Sequence, residues 1–338
     1  MKTTDFAKYI KSFIAEYLPI ERNLSVNTVR AYRDTFVLLI RFLENEKGLR
    51  IDKIKINQIT KSIVLEFLKW LRESRNSSHS TINARLAAIQ TFFKYIADDQ
   101  FEFIIQRQKI SSIPIAKTQK KVFEYLSLSG IKLLLEQINT QTKRGRRDLA
   151  LLCLLYDTGA RVQEIIDLTP SAINFNKPYT IKLKGKGNKY RIVPLLDAEM
   201  NHLKDYLHEN NLIHDSLNHI PLFRNSRKQK LTRAGVNYIL TKYVKKARDI
   251  NPDLMPSKIS CHSIRHSKAM HLLQAELPLI YIRDLLGHVS VTTTEIYAKA
   301  DSRQKRIALE KAYVEIYTSD QESQWEGDNK LISWLNSF

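Results

Sequence analysis

Cysteine, glycine, proline and acidic residues are all scarce in this chain. The two cysteines, Cys153 and Cys261, are too few for a disulfide framework, and neither stands in a CxxC or Cys/His spacing that would hold zinc. Nine glycines and nine prolines in 338 residues argue against a loop-rich or fibrous chain. Nowhere do about 18 apolar residues follow one another, so no membrane span is expected. The opening Met1-Lys2-Thr3-Thr4-Asp5 lacks the apolar run of a signal peptide, and the expectation is a soluble, cytoplasmic protein. A Walker-type loop and a carboxylate cluster are also missing, so neither cofactor nor metal is expected.

What the chain has in excess is positive charge. It carries 54 Lys and Arg against 35 Asp and Glu, a formal charge of +19. For a soluble protein that balance favours a polyanionic partner, nucleic acid foremost, over a merely basic surface. A length of 338 residues suggests two domains, since one core seldom grows past about 250.

Residues 1–105 read as a helical module. Phe6, Tyr9, Ile10, Phe13, Ile14 and Tyr17 recur at helical spacing over 5–18. A second helix starts at Ser25, a good N-cap, and carries Val29, Tyr32, Phe36, Leu39 and Leu43 along one stripe. A third covers 60–74, and a fourth follows Ser77 and Ser78 with Ile82, Leu86, Ile89, Phe92 and Phe93. The polar faces are rich in cations and hydroxyls, among them Arg30, Arg33, Ser78, His79, Thr81 and Arg85, which suits contacts to a phosphate backbone. Periodicity is lost over 106–121, which holds Pro114, Lys117, Lys120 and Lys121 and reads as a basic linker able to cross a duplex.

Beyond the linker the pattern becomes mixed. Ser127 caps a helix, the basic run Lys143-Arg144-Gly145-Arg146-Arg147 precedes an apolar helix over 148–156, and Thr158-Gly159 ends it. Gly159 can take the left-handed conformation there and project Arg161 from a tight corner, with Glu164 three residues on able to orient the guanidinium. Residues 181–184 and 190–195 read as a hairpin around Gly185-Lys186-Gly187-Asn188-Lys189. A lysine at a glycine-flanked tip can reach into a groove, and spacing alone leaves Lys182, Lys184, Lys186 and Lys189 in competition. Further on, Thr232 caps a helix running to about Arg248. His262 and Arg265 lie at i and i+3 of another, Gly287 caps the next, His288 follows it, and Tyr297 sits on a last helix. Two arginines, imidazoles and a tyrosine suit chemistry on a phosphodiester: the tyrosine can attack and the cations can hold the phosphate.

On these residues the chain resembles the tyrosine recombinase (phage integrase) family, over nearly its whole length. The carrying motifs are Thr158-Gly159-Ala160-Arg161-Val162-Gln163-Glu164, Gly185-Lys186-Gly187, His262-Ser263-Ile264-Arg265, Gly287-His288 and Tyr297 nine residues later. Leu24-Ser25-Val26-Asn27-Thr28 with Tyr32 is similar to the family's SAM-like core-binding domain. Ala160 and Gln163 depart from the common pattern, where a larger aliphatic residue and Ser stand. Around Tyr297, Thr294-Glu295-Ile296 and Ala298-Lys299-Ala300-Asp301 look more like transposon-borne integrases than chromosome-resolution enzymes.

The resemblance implies a mainly α fold with a small antiparallel β-sheet. It comprises a four-helix SAM-like core-binding domain (1–105), a linker (106–121), a mixed α/β catalytic domain (122–317) and a tail (318–338). It implies site-specific recombination through a 3′-phosphotyrosyl intermediate, for integration, excision or resolution of DNA. Among the competing lysines it selects Lys186. By resemblance the catalytic set is Arg161, Lys186, His262, Arg265, His288 and the nucleophile Tyr297, supported by Glu164. His262 is expected to take the tyrosyl proton or to shuttle it, and Lys186 to protonate the leaving oxygen. Double-stranded DNA with specific recombination sites is the expected partner, bound by a synaptic tetramer in the nucleoid. The apolar end of the acidic tail, 330–338, is expected to dock into a neighbouring subunit. A type IB topoisomerase, which rejoins the original strand, and a non-catalytic sequence-specific DNA-binding protein are the alternatives.

Overall fold

In the computed structural model, which describes residues 4–118, 124–212, 219–288, 290–300 and 337, the long helices of the N-terminal part start on hydroxyl side chains. These helices are α1 (Asp5–Ser12), α2 (Val26–Lys47), α3 (Lys61–Glu73) and α4 (His79–Asp99). Thr4, Ser25, Thr60 and Ser78 accept from the backbone N–H of Ala7, Thr28, Ile63 and Thr81. Each such cap is worth about 1 kcal/mol. The helix expected over 5–18 runs further, because α1 continues as a π-helix, Phe13–Glu21, that carries Pro19. The chain divides into two compact units, Met1–Lys121 and Val122–Phe338.

An aromatic cluster holds the first unit together. The rings of Phe36 and Phe13 lie 4.9 Å and 5.1 Å from that of Phe92, edge to face, and all three are buried. Such pairs add about 1 kcal/mol beyond the area they bury. One boundary needs correction. The linker expected over 106–121 begins inside this unit, because α5 (Ile104–Ser111) packs on α4 and buries Ile110, with Ile113 just beyond it. Gln106 ties the helix down by donating to the carbonyls of Ile56 (2.8 Å) and Ile59 (2.9 Å). Apolar spacing over so short a helix is too brief to read as a period.

The second unit packs helices around a three-stranded antiparallel sheet, β1 (Ile173–Asn174), β2 (Thr180–Lys184) and β3 (Tyr190–Pro194), in the order β1-β2-β3. α6 (Leu128–Glu136) leads into α7 (Lys143–Asp157), whose cap is Thr142. The basic run 143–147 therefore forms the first turns of α7 rather than preceding it, since Thr142 accepts from the N–H of Gly145. α8 (Val162–Ile166), α9 (Asp197–Glu209), α10 (Arg233–Ile250) and α11 (Cys261–Gln274) complete the main core, with Leu151, Leu155, Ile165, Leu183, Met200 and Leu240 inside. Both cysteines are free and buried.

A smaller apolar cluster joins α11 to α12 (Leu279–Leu286) and α13 (Glu295–Ala300). It contains Met270, Ile282, Leu286 and Tyr297. Its packing fixes where Tyr297 stands. The tail expected over 318–338, with its docking segment 330–338, lies outside the described residues apart from Ser337. Among the described residues no helix is long and apolar enough to cross a membrane.

Candidate active site

The corner after α7 builds the first wall of the site. Gly159 adopts φ +55°, in the left-handed region, and an added Cβ there would lie 2.7 Å from Leu286 Cδ2. Glycine is required at this position by backbone and by space. The turn delivers Arg161 to the start of α8, where Glu164 receives both its backbone N–H (2.8 Å) and its Nη1 (2.9 Å). The same carboxylate is held by Arg191 of β3, whose Nη1 and Nη2 donate at 3.0 Å and 2.7 Å. Arg191 also donates from Nε to the carbonyl of Leu285 at 2.8 Å. Burial alone would raise the Glu164 carboxyl, but Arg191 and Arg161 outweigh it and hold it below the usual carboxylate range. Glu164 is thus an anion clamped between two guanidinium groups.

Arg265 forms the floor. It is 1% exposed, and its Nη1 and Nη2 donate at 2.6 Å to the carbonyls of Gly159 and Leu286. Burial first, then the neighbouring Arg161 and Arg191, push it down to about 10, so it remains a cation at neutral pH. Gly287, at φ +64°, ends α12 and turns its carbonyl to Arg161 Nη2 at 3.4 Å. Two left-handed glycines therefore place the carbonyls that orient the two site arginines.

Three imidazoles and the tyrosine close the other side. Tyr297 is 1% exposed, and its hydroxyl lies 2.9 Å from His266 Nδ1. The His266 ring stands edge-on to that of His262 at 4.5 Å between centroids. His288 lies nearly parallel to Tyr297, with ring centres 6.4 Å apart, and pairs through Nδ1 with Thr294 Oγ1 at 3.0 Å. Burial, followed by nearby positive charge, pushes His266 and His288 down to about 4 and lowers His262 as well. All three rings are neutral at neutral pH. Burial raises Tyr297, against the opposing pull of Arg265 and Arg161, so it rests as the phenol.

The fold thus brings Arg161, Glu164, His262, Arg265, His288 and Tyr297 together from the α8 corner, α11, the end of α12 and α13. Lys186 lies at the hairpin tip between β2 and β3, where Gly185 N–H donates to the Lys189 carbonyl. Its side chain lies outside what the structure describes. A cleft of about 550 Å³, lined by Arg161, Gly185, Lys189, Arg191, Gly287 and His288, joins the hairpin to Arg161 and Arg191. Among the described residues no group of three or more His, Cys, Asp or Glu could hold a metal.

Sequence reasoning missed two members of this arrangement. Arg191 shares its face of β3 with the buried Val193, while Tyr190 and Ile192 face out; a cation at a core-facing parity was the available signal. His266 was the other. The proton acceptor expected for Tyr297 was His262, yet the imidazole on the hydroxyl is His266, one turn later on α11 and nearer α13.

The family model described as "Phage integrase family" matches residues 124–304, and "Phage integrase, N-terminal SAM-like domain" matches 10–100. The protein y4rC of Sinorhizobium fredii is 31% identical over 337 residues, which is 100% of this chain and 99% of the relative. The tyrosine recombinase XerC of Roseiflexus castenholzii is 33% identical over 292 residues, 85% of this chain and 87% of that one. A crystal structure of the site-specific recombinase XerH bound to difH substrate, a pre-cleavage complex, superposes with a TM-score of 0.63 at 26% identity. That match covers 85% of this chain and 80% of XerH. With a family model spanning more than half its length and relatives above 30% identity over most of it, the chain belongs to the phage integrase family of tyrosine recombinases, enzymes that cut and rejoin DNA.

Proposed function

We propose that Tyr297 is the nucleophile with which this recombinase opens double-stranded DNA at specific recombination sites. Its oxygen attacks the scissile phosphorus and expels the 5′ oxygen, leaving a 3′-phosphotyrosyl link. A 5′-hydroxyl of the partner strand then attacks that link and releases the tyrosine on the new junction. A phosphodiester is exchanged for a phosphotyrosine at each step, so the bond energy is conserved through the exchange. The XerH relative, captured on its difH substrate, supports DNA as the substrate here.

The charge that accumulates on the non-bridging oxygens is met by Arg161 and Arg265, whose planar, permanently protonated forks suit phosphate. Each is expected to lower the barrier by about 3 kcal/mol, as oxyanion donors do. In the tautomer whose Nδ1 accepts from the Thr294 hydroxyl, the neutral His288 ring carries its proton on Nε2 and can donate it to the phosphate. His262, kept neutral by burial and by the nearby Arg265 and Arg161, is the second imidazole available to that phosphate. Lys186 supplies the proton to the departing 5′ oxygen, and Glu164, with Arg191 behind it, keeps Arg161 aimed.

The observation that carries this reading is the buried tyrosine hydroxyl at the edge of a two-arginine, three-imidazole site. The test is a nicked suicide DNA substrate carrying the recombination site. Wild type should form a covalent protein–DNA adduct and Tyr297→Phe none; equal absence of adduct from both on that site would falsify the assignment. Synapsis as a tetramer in the nucleoid, with 330–338 docked into the neighbouring subunit, belongs to the same proposal. Deleting 330–338 should abolish cooperative assembly on DNA, and unchanged cooperativity discards the docking.

A further inference from the structure

We infer that His266 is the group that takes the proton from Tyr297 when the tyrosine attacks, and that returns it when the strand is resealed. The inference rests on Tyr297 being the nucleophile. Tyr297 is 1% exposed, so water has little access to its phenol, and His266 Nδ1 lies 2.9 Å from the hydroxyl. General-base geometry requires this hydrogen-bond distance to the proton being moved. His262, on the preceding turn of α11, faces the His266 ring edge-on at 4.5 Å.

The charges around His266 set its state. From its own helix, His262 and the guanidinium of Arg265 disfavour a second proton, and the hydroxyl of Tyr297 faces it from α13. His266 is therefore neutral in the resting site, and in the tautomer protonated on Nε2 its Nδ1 lone pair accepts the Tyr297 hydroxyl. A DNA phosphate seated between Arg161 and Arg265 adds negative charge beside the same cations, which favours the imidazolium as the reaction begins. In the forward step the Oη–P bond forms and the Oη–H proton passes to His266 Nδ1. The P–O5′ bond breaks and the 5′ oxygen takes a proton from the Lys186 ammonium. On resealing, the incoming 5′-hydroxyl gives its proton to Lys186, and the His266 imidazolium protonates the departing tyrosyl oxygen. Protons and charge balance in both directions.

The deciding variant is His266→Asn, whose side-chain oxygen can accept a hydrogen bond near the Nδ1 position but cannot hold a proton. Single-turnover adduct formation on the suicide substrate is followed from pH 6 to pH 9 with the full-length protein, alongside DNA affinity. Wild type should be nearly flat across this range. His266→Asn should bind DNA like wild type, cleave about 100-fold more slowly at pH 7, and speed up about tenfold per pH unit as hydroxide replaces the missing base. His266→Ala should show the same slope, and imidazole in the buffer should raise its rate. A wild-type rate and profile for His266→Asn overturns the inference and makes His266 an anchor. A uniform loss with no pH slope in either variant overturns it too. Both results leave the assignment of Tyr297 standing, whereas absence of adduct from wild type itself removes that assignment first.

Discussion

Glu164 shows how a single residue conditions the site. It is the only carboxylate among the described side chains bonded to Arg161 and Arg191, and it lies almost fully buried. Replacing it by Gln keeps the shape but leaves two guanidinium groups facing each other, with Arg265 close by. Removing one partner of a buried pair commonly costs about 3 kcal/mol or more. Glu164→Gln should therefore lower the stability measured in urea by about that amount at pH 7 and slow adduct formation as Arg161 loses its brace. The pH dependence has a definite sign. The folded carboxyl titrates below its unfolded value, so its contribution is complete above the ordinary carboxylate range and disappears as pH falls through the folded value. The gap between wild type and variant should close in acid; a gap independent of pH would mean that the charge is not what matters.

At the scale of elements, the site depends on two tight corners, and these were legible in part. Gly159 and Gly287 stand where a helix must stop and turn, and both take the left-handed backbone. What the sequence could not convey is that the Gly159 carbonyl receives Arg265 from a helix 106 residues away, because no local pattern encodes a long-range hydrogen bond. The capped helices α2, α3, α4 and α10 were readable because a hydroxyl residue precedes a long apolar stripe in each. The start of α7 was not, since five residues of mostly like charge look like a loop until Thr142 is seen capping Gly145. The strand β1, only Ile173–Asn174, is too short to alternate. Lys186 could be chosen only by resemblance, as four lysines share that hairpin. Gly159→Ala tests the corner itself. A left-handed alanine costs about 1 kcal/mol, and its Cβ must displace the Leu286 side chain from 2.7 Å. The expected loss is about 2 kcal/mol in chemical denaturation, together with slower cleavage, because the carbonyl that orients Arg265 moves. Full activity in Gly159→Ala would show that Arg265 is held by the Leu286 carbonyl alone.

At the scale of the molecule, binding and chemistry draw on charge in different ways. The excess of 54 basic over 35 acidic residues, +19 in all, sets a field that acts over the distances that salt screens. A protein making 6–10 phosphate contacts loses about 10³- to 10⁵-fold in affinity between 50 and 200 mM salt. The site cations differ. Arg265 is buried on two carbonyls, and the half-buried Arg191 is held by Glu164 and the Leu285 carbonyl, so mobile ions reach them less readily than the surface cations. A salt series should therefore separate the two properties in one preparation. DNA affinity should fall with a log–log slope of about −5 or steeper, while the rate of adduct formation at saturating DNA changes less than about threefold over the same range. If the rate at saturation fell in parallel with affinity, the field acting on the scissile phosphate would belong to the exposed surface rather than to Arg265 and Arg191. Arg161, the more exposed of the two proposed phosphate ligands at 37% of its side chain, would then be the first place to look.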